Sequence, residues 1–254
     1  MKALSLAGIA LIAVLGDAAT AADLPIAPPP VTTVYRTPQY WTGCYVGGNV
    51  GMGWSGASIT DTTNQFGFGI GGADLGTQQT AGLIGGVQGG CDYQVGSFVF
   101  GIQGMFDGSA MKGNTIWQAN PSFRNNGSIP WFGTLTGRAG ITFVPAAMIY
   151  AKVGLATMHH NYSWDLFNTQ LATASSTPIG WTAGIGVEWI FAGSWSMFAE
   201  YAYLGFGHRS VTYGLTGAGA IAFPAAAASF PFGVSEDVSV FIVGFNYRFG
   251  PPAY

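Results

Sequence analysis

Eight segments of this chain place apolar residues at every second position, and the connections between them alternate between short and long. The last segment, residues 238–249, shows the pattern most clearly. Successive strand side chains point to opposite faces. Phe249, Tyr247, Phe245, Val243 and Phe241 therefore share one face, with Arg248, Asn246, Gly244, Ile242 and Val240 on the other. Alone, the segment suits a soluble sandwich as well as a strand that is apolar outside and polar inside. Recurrence along the chain favours the second.

Residues 41–54 set Asn49 against Val46, Val50 and Met52. Residues 80–93 set Gln88 and Asp92 against Leu83, Val87 and Tyr93, and residues 98–109 set Gln103 and Asp107 against Phe98, Phe100, Ile102 and Phe106. Residues 131–143 gather Thr134, Thr136, Arg138 and Thr142 opposite Trp131, Leu135, Ile141 and Phe143. In residues 146–159, Tyr150 and Lys152 oppose Ile149, Val153 and Leu155. Thr182 and Glu188 oppose Trp181, Ile185, Val187 and Trp189 in residues 179–190. Ser196 and Glu200 oppose Trp195, Met197, Tyr201 and Tyr203 in residues 195–204. Eight strands is an even number, as a closed antiparallel barrel requires. The turns at 94–97, 144–145 and 191–194 are short, whereas the connections after Trp54, Ser109, His159 and Leu204 are long and rich in Gly, Asn, Ser and Thr. Short turns on one rim and long loops on the other characterise outer-membrane barrels, and no rule of soluble sandwiches demands it.

Charged residues are only 7% of the chain, against about 25% in a soluble domain. After the N-terminal region no stretch suits a spanning helix of roughly 20 apolar residues. A closed barrel is the other structure that crosses lipid with its backbone satisfied. Aromatic residues also fall at strand ends, among them Trp54, Tyr93, Trp131, Phe143, Trp181, Trp189 and Trp195, as the two girdles of such a barrel would. A net charge of −3 gives no case for nucleic acid.

The expected organisation has four parts. Residues 1–21 read as a signal peptide, with Lys2, an apolar run over 3–15 and Ala19-Thr20-Ala21 as the cleavage motif. Residues 22–40 form a Pro-rich periplasmic leader, residues 41–249 the barrel, and residues 250–254 a short C-terminal extension.

The sequence resembles the small opacity-type outer-membrane β-barrels, the immunogenic and porin-family proteins of alphaproteobacteria. The stretches that carry the likeness are A-A-D-L-P at 21–25, W-T-G-C-Y-V-G-G-N-V-G at 41–51 and G-G-V-Q-G-G at 85–90. F-G-T-L-T-G-R-A-G at 132–140, G-W-T-A-G-I-G-V-E-W at 180–189, A-E-Y-A-Y-L at 199–204 and the closing V-G-F-N-Y-R-F continue it in order. The resemblance implies an eight-stranded barrel in the cell outer membrane, with lipid and lipopolysaccharide around it and the outer-membrane assembly machinery as a partner. It also implies a C-terminal assembly signal, here either an internal one ending at Phe249, with Tyr247 and Phe245, or Tyr254 at the terminus. Family members usually end at that phenylalanine, whereas this chain continues to Tyr254. Cys44 and Cys91 stand where the family usually has aromatics, and Gln103 where an acid is usual.

Arg138, Lys152 and Arg248, with Asp107, Glu188 and Glu200, are expected to share the lumen as an ion-pair network, since an eight-stranded barrel is filled by its own side chains. A cation facing lipid would cost roughly 2–4 kcal/mol near mid-bilayer. If Trp54 pairs near Thr80 and Tyr93 lies near Thr42, Cys44 falls opposite Cys91, and an oxidising periplasm permits a disulfide. Two separate lipid-facing thiols are the alternative. His159, His160 and His208 lie near the outer rim, but adjacent histidines alternate faces and chelate poorly. Trp117, Phe123, Phe223, Phe230 and Phe232 are expected to make an apolar loop surface, and residues 214–234 an apolar loop folded over the rim. No nucleophile–base pair, phosphate loop, metal set or cofactor site is found. The function expected is therefore non-enzymatic: a structural barrel and surface antigen that supports the envelope and contacts an extracellular ligand or host surface. The alternatives are a narrow porin-like channel for small solutes, and haem or ligand capture at the loops.

Overall fold

A computed structural model describes residues 41–61, 74–116, 123–222 and 229–249. The expected signal peptide, leader and C-terminal extension lie outside the described residues. The described strands are β1 (Gly43–Asp61), β2 (Asp74–Val95), β3 (Phe98–Ile116), β4 (Phe123–Val144), β5 (Ala147–Leu166), β6 (Thr169–Ser176), β7 (Ile179–Ala192), β8 (Trp195–Leu215) and β9 (Ser229–Phe249), with a short helix α1 (Gly217–Ala222) before β9. Eight of them form a closed antiparallel ring in the order β1-β2-β3-β4-β5-β7-β8-β9. β9 closes it on β1 with Met52 opposite Phe241 and Cys44 opposite Phe249. The eight-stranded transmembrane barrel read from the alternation is the fold.

Each short connection is a two-residue turn. Gly96 and Gly193 open two of them at φ 61° and 52°, left-handed values that glycine reaches without a Cβ penalty and that match strand twist in tight hairpins. The opposite end differs from expectation. Seven ring strands run for 19–22 residues, about twice the 9–11 needed to cross the hydrocarbon. Much of each stretch read as a loop is thus strand wall standing above the bilayer. The exception is β7, with 14 residues. Above it the chain inserts β6, a hairpin on β5 turning at Phe167 and Asn168, both at positive φ (47° and 65°). The supposed apolar loop at 214–234 likewise contains the end of β8, α1 and the start of β9.

The faces are inverted relative to a soluble protein. Leu83, Val87, Ile102, Leu135, Val153 and Ile185 are among the most exposed large apolar side chains. Asn49, Gln88, Arg138, Lys152, Glu188 and Asn246 are buried. No described helix is long and apolar enough to cross a membrane; the crossing is made by strands.

Candidate functional site

The lumen is layered along its axis, and the inward face of β9 passes through every layer: Arg248 and Asn246, then Ile242, Val240 and Val238, then Glu236, then Val234 and Phe232. The first layer lies at the short-turn end. Arg138 forks onto Asp92, with Nε–Oδ1 at 2.7 Å and Nη2 on Oδ2, and its Nη1 donates to Glu188 at 3.0 Å. Arg248 Nη2 bridges the same two acids at 2.9 and 3.0 Å. Ser196 Oγ (2.6 Å) and Asn246 Nδ2 (3.0 Å) also donate to Glu188. Lys152 Nζ lies 2.5 Å from Glu200, whose other oxygen accepts from Tyr150 at 2.9 Å. Charge-assisted and bidentate contacts of this kind are among the stronger ones in proteins. Trp41 caps the layer: its indole donates to Pro145 O at 3.1 Å, and its ring lies 4.6 Å from the Arg248 guanidinium.

Two features differ from the network read from sequence. Asp107 is fully buried in the lumen but makes no ion pair among the described residues; only Asn49, across Gly86, and the charge of Lys152 favour it. Its place is taken by Asp92. The reason is register. Gly101 on β3 stands opposite both Asp92 on β2 and Arg138 on β4, and any Cβ there would collide with the Asp92 carboxylate. An inward glycine between an acid and an arginine lets them meet across an intervening strand. Gly47 does the same for Gln88 and Asn246, which bond at 2.8 Å. Asp107 has its own glycine, Gly86, but no arginine beyond it.

The second layer is apolar, which reading the inner face as polar did not anticipate. Ile84, Met105, Met111, Ile129, Phe132, Met158, Phe198, Leu204, Phe206, Val238, Val240 and Ile242 form one buried cluster inside the ring. A third, polar layer lies beyond the outer aromatic belt. Glu236 accepts from Ser55 (3.2 Å), Tyr162 (3.0 Å) and Arg209 (2.7 Å) and lies 2.6 Å from His160 Nδ1. Burial opposes the charge on Glu236, but the His160 hydrogen bond and the charges of His160 and Arg209 outweigh it and hold its pKa below the usual carboxylate range. Tyr162, Tyr213, Phe232 and Val234 close the mouth as a further apolar cluster. Phe232 is thus buried, not part of a loop surface. Trp117 and Phe223 lie outside the described residues, as do the side chains of Phe123 and Phe230. Nothing in the sequence singled out Glu236 except its inward parity with Arg248 along β9.

The remaining residues singled out in the sequence fall as follows. Cys44 and Cys91 are directly opposed in the β1–β2 register and joined by a disulfide on the lipid-facing side. His159 points outward and stacks on Trp131 at 6.0 Å, while His160 points inward and His208 is exposed. Among the described residues, no group of three or more His, Cys, Asp or Glu could hold a metal ion. Phe249, Tyr247 and Phe245 lie on the lipid face, with Tyr247 and Phe249 edge to face at 5.1 Å.

A model of the family described as outer membrane protein beta-barrel domain matches residues 9–249. No curated protein matches the chain. Among solved structures, OprG from Pseudomonas aeruginosa is 11% identical, covering 83% of this chain and 97% of its own, at a TM-score of 0.46. Neisserial surface protein A is 13% identical over 82% of this chain and 98% of its own, at 0.41. Ail, the attachment invasion locus protein of Yersinia pestis, is 11% identical over 82% and 99%, at 0.38.

Proposed function

The chain belongs to the outer membrane protein beta-barrel domain family, and from that premise we propose that it is a non-conducting structural barrel that presents its long end to the exterior. The observation that carries this reading is the stacked filling of the lumen. An ion-pair layer capped by Trp41 is followed by an apolar layer, the Glu236 cluster and an aromatic mouth. A solute would have to part charge pairs and then cross a dry layer where a hydrated ion would be stripped of its water. Eight strands leave an interior that side chains can fill. Envelope integrity and surface display, with contact to host or neighbouring surfaces through the outer end, are the roles left to such a barrel. No catalytic role is assigned to it.

Purified, refolded protein in planar bilayers tests this reading. Silence is expected across the voltage range. Reproducible single-channel steps that vanish when the lumen is altered at Phe198 or Met158 would refute it in favour of a narrow channel.

A further inference from the structure

The first two strands of the barrel match each other in more than one register. Each of the seven consecutive β1–β2 pairs from Tyr45–Gly90 to Gly51–Ile84 contains a glycine. On β2 the glycines recur four residues apart, with Gly82, Gly86 and Gly90 at inward positions and Gly85 and Gly89 at outward ones. Sliding β1 by four residues along β2 keeps every residue on its own face, because the side-chain period is two. The inward side chains Tyr45, Asn49 and Ile84 then still meet a glycine each: Gly86, Gly82 and Gly47. Glycine-rich pairings specify register weakly. Nor does a turn set it here. β2–β3, β4–β5 and β7–β8 are each joined by two residues, whereas residues 62–73 join β1 to β2, enough chain to take up or release four residues.

The charged contacts that set the observed register apart come from the far side of the seam. Asn246 bonds Gln88 at 2.8 Å, and Arg248 bridges Asp92 and Glu188. Both belong to β9, which reaches β2 only once the ring has closed on β1. In a β1–β2 pair without β9, the Cys44–Cys91 bond is the one covalent feature that tells the registers apart. A four-residue slip sets Cys44 opposite Val87 and carries the two cysteines roughly 13 Å apart along the strands, beyond the reach of a disulfide. Cys44 also stands opposite Phe249, so the bond lies beside the closing seam.

We propose that this bond is a register lock, made in the periplasm before insertion, that holds β1 on β2 while β9 closes the ring. It forms by exchange with a periplasmic dithiol oxidant. One cysteine thiolate attacks the oxidant's disulfide, and the second cysteine displaces the oxidant from the mixed disulfide. Two electrons and two protons pass to the oxidant, which leaves as its dithiol. The attacking thiolate is a charge that hydrocarbon does not solvate, so this lipid-facing pair is oxidised before it enters the bilayer. The proposal rests on the outer-membrane placement of the barrel and not on whether the lumen conducts.

The test uses the full mature chain in phospholipid bilayers, with register read from inter-strand backbone contacts by solid-state NMR. The chain oxidised before refolding is expected to show the Val50–Gly85 contact alone. The chain carrying Cys44→Ser and Cys91→Ser is expected to add a second set of contacts, Val50 to Ala81, and to reach the heat-modifiable form more slowly. A bond moved along the same register is the control: Gly48→Cys with Val87→Cys in the double-serine chain, oxidised before refolding. Gly48 has room for the side chain, since the nearest atom to its Cβ position is Gly86 O at 3.7 Å. The moved bond should restore a single register and the original rate. A double-serine chain with the native contacts alone and an unchanged rate would overturn the proposal. So would a double-serine chain that fails to assemble and is not restored by the moved bond, since the cysteines would then act through something other than register. Thiols that oxidise as fast in the inserted barrel as in the unfolded chain would refute the order of events.

Discussion

Glu188 and Asp107 are both fully buried acids in one lumen, and they should respond unequally to losing their charge. Glu188 faces two guanidiniums at 3.0 Å and accepts from Ser196 and Asn246; Asp107 makes no ion pair among the described residues and has only Asn49 and the charge of Lys152 in its favour. At an effective dielectric of about 20, two charges about 4 Å apart attract by about 4 kcal/mol. Glu188→Gln keeps the shape but leaves Arg138 and Arg248 sharing Asp92 alone. Part of the lost attraction is offset because the acid no longer has to be desolvated. The net cost expected is about 3–5 kcal/mol, the usual penalty for removing one member of a buried ion pair. Asp107→Asn removes a buried charge that no ion pair holds, only Asn49 and the more distant charge of Lys152 favouring it, and should cost far less than Glu188→Gln. Reversible urea unfolding in phospholipid vesicles, followed by tryptophan fluorescence and by the heat-modifiable gel shift, measures both. If Glu188→Gln costs under about 1 kcal/mol, or Asp107→Asn costs as much as Glu188→Gln, the assignment of the network to Asp92 is wrong.

Further expectations are as follows. Reducing the Cys44–Cys91 bond, or replacing both cysteines by Ser, should cost up to about 4 kcal/mol through the loop it closes over a separation of 47 residues; an unchanged unfolding midpoint after reduction argues against the bridge. Glu236 has a folded pKa below its ordinary value, so its cluster contributes fully above the ordinary glutamate pKa and loses that contribution as pH falls through the lower folded value. Amide exchange of the outer wall near Tyr162 and Val234 should therefore accelerate in acid before that of the membrane part, and uniform acceleration would refute the separation of layers. Gly101→Ala should destabilise the barrel by forcing Asp92 off Arg138, and native-like melting of this variant would count against the glycine argument. Phe249→Ala should slow insertion by the assembly machinery while deletion of residues 250–254 leaves it intact, as heat-modifiable protein in membranes would report; the reverse result would move the signal to Tyr254.

The ring was legible because its cause is local. Alternation fixes which side of a strand a residue takes, and a closed barrel in lipid turns that into inside and outside. Cys44 opposite Cys91, and β9 closing on β1, also follow from counting pairs across known turns. What alternation could not supply was depth. Val240 and Arg248 share a face on β9, yet one lies in an apolar layer and the other in a charged one. Which charges meet depends on register across three strands, so Asp92 reaches Arg138 past Gly101 while Asp107, past Gly86, meets only the neutral Asn49. The strands beyond the belt were also hidden, because there β4 carries polar and small residues on both faces over 125–128 and β5 inverts the contrast, with His160, Tyr162 and Trp164 inward and Asn161, Ser163 and Asp165 outward.

At the level of the outer belt the ring changes membership. β7 ends and β6 takes over its side against β5, yet among the described residues β6 is strand-paired with β8 at only two positions, Ala172–Leu215 and Thr173–Gly214. The wall within lipid and the wall above it are therefore separately built on this side. Insertions, deletions or recombination between residues 167 and 178 would leave untouched the Glu236 cluster and every pair that holds the barrel in the membrane. On the proposed outward display of this end, that is a place where variation carries little structural risk.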